Sequence, residues 1–164
     1  MKKLTGLVLA GVAMISAASA PAQTTPNTRL VSSITEADLV ALVRAEGHTI
    51  DATHPFESPS VRGKTKDGLL FLLIGSACDK NGVPGCQGIM MQVRYDENSS
   101  VTTAGINKSN LNEAALSAWW DEADDTVGFT RYVVLDDGVT WMNIRQNLRI
   151  LLSIQDNAYD YVFK

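Results

Sequence analysis

The chain has 164 residues, 45% of them hydrophobic and 20% charged, with a formal net charge of −4. That length fits one domain and not comfortably two, and the composition excludes the disordered and fibrous classes. The acidic surplus argues against nucleic-acid binding, because an acidic domain repels phosphate backbones.

Lys2 and Lys3 form a basic head, Leu4 to Ala18 is an uncharged and mostly apolar run, and Ser19, Ala20, Pro21 and Ala22 follow. This is the order of a secretory signal peptide over residues 1–22. The apolar run of about 15 residues falls short of the roughly 20 that span a bilayer as a helix. Cleavage after Ala20 would place Pro21, with its constrained backbone, directly after the cut. Cleavage between Ala22 and Gln23 keeps the small-x-small pattern and is the expected site. An uncleaved N-terminal anchor is the rival reading. No cysteine stands near the site, so a lipoprotein anchor is excluded. Removing Lys2 and Lys3 from the 14 basic side chains leaves 12 against 18 acidic ones, a net charge of −6. No second apolar stretch is both long enough and free of turn residues to span a membrane, so no membrane contact is expected after signal cleavage.

Residues 23–32 read as a flexible polar lead-in, and residues 33–164 as one domain. A helix opens the domain. Ser33 or Thr35 can cap it, Ser33 to Glu36 has the capping-box form, Leu39, Leu42 and Val43 make its apolar stripe, and Gly47 stops it. His48 to His54 reads as a strand whose alternation puts His48, Ile50, Ala52 and His54 on one face. Histidines six apart in a strand lie about 20 Å from each other, too far to share a metal, and both read as surface or edge residues. Pro55 and Pro59 break the pattern. Val61 to Thr65 resumes as a strand, Lys66-Asp67-Gly68 supplies a hairpin turn, and the nearly all-apolar Leu69 to Ala77 reads as a central strand.

Cys78 and Cys86 flank the turn-rich stretch from Asp79 to Gly85, and Gly88 to Tyr95 pairs back as a strand. An oxidising compartment makes a Cys78–Cys86 disulfide the expected state, worth about 2–3 kcal/mol on the chain-entropy model. Two thiols with no third ligand nearby make a poor tetrahedral metal set, and the spacing is not the Cys-x-x-Cys of redox pairs. Met90 and Met91 suit either an adaptable surface or a core.

Asp96 to Gly105 is loop-like. A second helix is expected from Ser109 to Ala123, with Leu116, Trp119 and Ala123 on one face. Asp121, Glu122, Asp124 and Asp125 crowd its end. They lack the spacing of a calcium loop and read as a solvated acidic cap. Phe129 to Asp136 is a strand. After Asp137-Gly138 two readings compete: a hairpin returning through Val139 to Arg145, or a helix capped by Thr140. In the helix Trp141, Ile144, Leu148, Leu151 and Ala158 share one face. The helical pattern is the longer and is preferred. A Ser-His-Asp arrangement could draw only on His48 or His54, and no Gly-x-Ser-x-Gly occurs. No catalytic, cofactor-binding or metal residues are therefore assigned, and no cofactor is expected.

Four segments, in this order, carry a resemblance: Ala41 to Gly47; the apolar strand running into Cys78; Leu116-Ser117-Ala118-Trp119 followed by Phe129-Thr130-Arg131-Tyr132; and Asp137 to Thr140 leading into Asn143 to Leu148. The chain resembles, over roughly residues 33 to 160, the YbjN family of small bacterial domains. The resemblance implies an α+β fold, an antiparallel sheet with helices packed on it, similar to type III secretion chaperones. It also supports the helix after Gly138. Family members are labelled sensory transduction regulators, and no catalytic residues are attached to them. The chain departs from the family between Trp120 and Val139, a region that is short where the family has a hairpin. One strand fewer is expected there, which puts the family's sheet and its dimer edge in question; a homodimer is left open all the same. Together these readings imply a periplasmic or secreted bacterial protein that is not an enzyme and acts as an interaction or regulatory module on a protein or peptide partner. A periplasmic small-ligand sensor is the first alternative and a hydrolase the second.

Overall fold

The computed structural model describes residues 26–80, 82–96 and 100–164. The expected signal peptide and its cleavage pair, Ala22 and Gln23, lie outside them. Among the described residues no helix is long and apolar enough to cross a membrane. In chain order the elements are β1 (Leu30–Val31), α1 (Glu36–Ala45), β2 (Thr49–Thr53), β3 (Ser60–Lys64), β4 (Leu70–Cys78) and β5 (Cys86–Asp96). They continue with α2 (Thr103–Asn112), β6 (Ser117–Asp121), β7 (Thr126–Val134), β8 (Val139–Thr140) and α3 (Trp141–Phe163). The fold is α+β. Six strands form an antiparallel sheet in the order β2-β3-β4-β5-β7-β6, and β1 pairs with β8 apart from it.

All three helices pack on the main sheet or on one another: α1 over β2 and β3, α3 over β5 and β7, and α2 against α3 and β6. Strand alternation sends Phe71 and Leu73, Ile89, Met91 and Val93, and Val127, Phe129 and Val133 into this layer, where all are buried. Opposite them Trp141, Ile144, Leu148, Leu151, Gln155, Ala158 and Val162 form the buried stripe of α3 at three- and four-residue spacing. Fully burying each of the three Ile and Leu side chains in that stripe stabilises the fold by about 1.5–3 kcal/mol. This stripe decides between the two readings after Gly138. Thr140 caps the helix by accepting from the Asn143 amide at 3.2 Å. The cap of α1 is Thr35, in a reciprocal capping box with Asp38.

Four expectations are corrected. The helix expected from Ser109 to Ala123 is two elements: α2 lies earlier, and Ser117 to Asp121 is strand β6. The bulk of Trp119 and Trp120 suits a pleated surface, where the two rings go to opposite faces. The residues from Glu122 to Asp125 are accordingly the turn of a β6–β7 hairpin, with Asp125 at φ 48°, and not a helix cap. That hairpin runs from Ser117 to Val134 and so reaches into the region read as short. In β2 the register shifts between Ile50 and Ala52, which breaks the single alternation drawn from His48 to His54. Lastly, the described part of the lead-in is structured. The first-turn amides of α3 at Trp141 and Met142 donate to the carbonyls of Arg29 and Asn27, and Leu30 and Val31 pair with β8. Helix-start amides need such acceptors, which explains why the polar segment is held.

Candidate functional site

The face of the sheet away from the helices is the candidate site. The same alternation that fills the core leaves Arg62, Leu72, Gln92, Thr130 and Ser117 side by side across five strands, with Ile74, Met90 and Tyr132 in the next row. Arg94, Gly128 and Trp119 form the row on the other side, and Ser76, Gly88 and Val134 a further one. Leu70, which opens β4, Tyr132, and Val134, which closes β7, are 42%, 49% and 55% exposed.

Two aromatic residues lie flat on this face because glycines let them. An added Cβ at Gly128 would collide with the Trp119 indole, and one at Gly88 with the phenol end of Tyr132. Glycine weakens a strand interior, and here it makes room for a ring to cover the bare backbone. The Tyr132 hydroxyl meets Ser76 Oγ at 2.7 Å.

Between the rings runs a polar chain. Trp119 Nε1 donates to Thr130 Oγ1 at 2.8 Å, and Gln92 Nε2 donates to the same oxygen at 2.9 Å. Gln92 Oε1 accepts from both Nε and Nη2 of Arg94, at 3.0 and 2.7 Å. The Arg94 guanidinium carbon stands 5.3 Å from the Phe56 ring centre and 5.6 Å from that of Trp119, within cation–π range of both. Partial burial pulls its pKa below the usual value, yet arginine stays protonated at physiological pH. Asp96 and Asp121 stand in the adjacent row, across Thr126 from each other, and neither forms an ion pair with Arg94.

Both edges of the sheet are blunted. The outward amide and carbonyl of Ala118 on β6 are occupied by the Asn110 side chain of α2, which accepts at 2.7 Å and donates at 3.1 Å. The opposite edge, β2, carries the irregularity at Ile50 and Ala52 and the Asp51–Arg62 ion pair. Unpaired edges invite strand addition, and these features discourage it.

The expected cysteine pair is brought together. Cys78 and Cys86 are directly opposed in β4 and β5 and form a disulfide. Cys86 is fully buried, fits against Gly75, and exchanges two backbone hydrogen bonds of 2.9 Å with Ile34, so the bridge ties the hairpin to the segment before α1. His48 and His54 do not come together. His54 is exposed and pairs with Glu36 at 2.8 Å. His48 packs edge-on against Phe71. Its Nδ1 is buried without a hydrogen-bond partner among the described residues, and burial holds its pKa below the ordinary value.

His48 borders a cleft of about 490 Å³ between the C-terminal end of α1, the β3–β4 turn and α3. Glu46 there is engaged by Arg145 and by Arg149. Burial raises the Glu46 pKa, but the hydrogen bonds and charges of Arg149 and Arg145 outweigh it, and the carboxyl ends below its ordinary value. At the α3 wall of the cleft, the Tyr95 hydroxyl donates to Gln155, and burial, with Asp156 and Tyr159 nearby, pushes its pKa up to about 12. Among the described residues no three His, Cys, Asp or Glu side chains are grouped to hold a metal ion. Sequence reasoning missed the open face, because it placed Trp119 on a helix. The signal was there in the alternation of Ser117 to Asp121 opposite Thr126 to Thr130. No family model, curated protein or solved structure matches the chain.

Proposed function

We propose that this chain is an exported, non-enzymatic binding domain that takes a partner polypeptide on the open face of its sheet. One observation carries the reading: the helices cover a single face, and the other presents Leu70, Tyr132 and Val134 to solvent beside Phe56, Leu72, Met90 and Trp119. Exposed apolar surface of this kind, rimmed by polar groups, marks interaction sites. The blunted edges favour a partner arriving on the face over one added as a strand. The disulfide and the signal-like first 22 residues support a periplasmic or secreted setting. The resemblance to the YbjN family supports a regulatory role and adds no catalytic residues. A second reading, a small-ligand sensor, draws on the cleft beside His48, whose volume is in the range of ligand sites.

The test is site-specific photo-crosslinking in periplasmic extract. A photoreactive residue at Val134 should give discrete adducts, while one at the exposed Gln146 of α3 should give none. Equal labelling from both positions, or none from Val134, would overturn the proposal.

A further inference from the structure

We infer that the open face reads a carboxylate on the partner, and that Arg94 is the residue that reads it. The inference rests on the binding role proposed for that face. The occupant it names is an extended segment of another protein in which an acidic side chain sits among aliphatic ones.

Arg94 is held as a receptor would be. Gln92 takes the Nε and Nη2 protons on one side of the guanidinium, and Gln92 is itself fixed by Thr130, which Trp119 also engages. The rings of Phe56 and Trp119 flank the group. The end of the fork remains: Nη1 makes no hydrogen bond among the described residues, and Nη2 keeps a second proton. Arg62 on the same face is already paired with Asp51, whereas Arg94 and Lys64 have no carboxylate ion pair among the described residues. Of these two, Arg94 is the one clamped between rings and the one that carries a fork. A guanidinium presents that end as two parallel donors matched to a carboxylate. Because its rotamer is already fixed, little freedom is lost when the acid arrives. Leu70 and Leu72 on β4 beside it call for aliphatic neighbours on the ligand, and Val134, opposite Gly88 and six residues along β5 from Arg94, extends the apolar path that an extended segment would follow.

The probe is a random linear peptide library displayed on phage and selected against the oxidised protein. Wild type should enrich sequences with Asp or Glu beside aliphatic residues. Selection on Arg94→Gln should lose the acid, and that variant should bind the best wild-type peptide about tenfold or more weakly, as expected for loss of a charge-assisted pair. Arg94→Lys, which keeps the charge without the fork, should fall between. Val134→Arg should abolish enrichment. Acid-free consensus peptides that Val134→Arg still blocks would overturn the role of Arg94 and leave the binding face intact. Peptides that bind Val134→Arg unchanged, or no enrichment at all, would overturn both. A wild-type chain found dimeric by sedimentation, and rendered monomeric by Val134→Arg or Arg94→Gln, would show the occupant to be a second copy and would overturn the acidic-peptide assignment.

Discussion

On the covered face of the sheet, Phe71, Leu73, Ile89, Met91 and Phe129 vanish beneath helices. On the open face, one residue along in the same strands, Leu70, Leu72, Met90, Thr130 and Tyr132 stand with no helix above them. The covered face is bound by volume: rings and aliphatic chains interlock, and little else is asked of them. The open face is bound by placement: rings laid across glycines, a shared threonine oxygen, a cation clamped between aromatic residues. The contrast teaches that one alternating pattern can write a core and a surface at once, with glycine marking where the surface is shaped.

The sharpest way to break the contrast is a pair of truncations. Phe129→Ala should lower the unfolding free energy by about 3–5 kcal/mol, whereas Val134→Ala should change it by no more than about 0.5 kcal/mol. Urea denaturation measures both. Similar costs at the two positions would mean that the open face is packed after all. Next comes the disulfide, which belongs to the covered side through Cys86. Cys78→Ala with Cys86→Ala should cost about 2–3 kcal/mol. A double variant as stable as the oxidised protein would show that the Ile34 contacts hold the hairpin unaided.

The smallest expected effect is pH-dependent and again belongs to the helical side. The Glu46 carboxyl is depressed in the fold, so its contribution is complete above the ordinary value of 4.5. It is lost as pH falls through the lower folded-state value. Glu46→Gln should therefore flatten the acid limb of stability against pH and leave peptide binding on the open face untouched. An unchanged acid limb would remove Glu46 from that account.

Much of the covered face is legible in the sequence. The spacing from Trp141 to Ala158 gives α3, the apolar run into Cys78 gives β4, and the turn-rich loop gives the cysteine pairing. The open face is harder to read, for a physical reason. Leu116, Trp119 and Ala123 fit a helical period as well as Ala118 and Trp120 fit a strand. What decides between them is pairing with Thr126 to Thr130, a contact that local periodicity does not contain. Arg94 and Phe56 are likewise distant in sequence, and only the sheet brings them together.

The pairing of β1 with β8 has a consequence for how the molecule is completed. Leu30 and Val31 come early in the chain, and Val139 and Thr140 come late. For a chain that emerges N-terminus first, the opening segment must wait without its partner while the whole sheet is made. Closing so long a loop is among the slower steps open to a folding chain. The start of α3 depends on the same segment, since its first amides use the carbonyls of Asn27 and Arg29. The β1–β8 pairing thus joins an early segment to one about a hundred residues later, and a chain halted before Val139 lacks the strand that β1 pairs with.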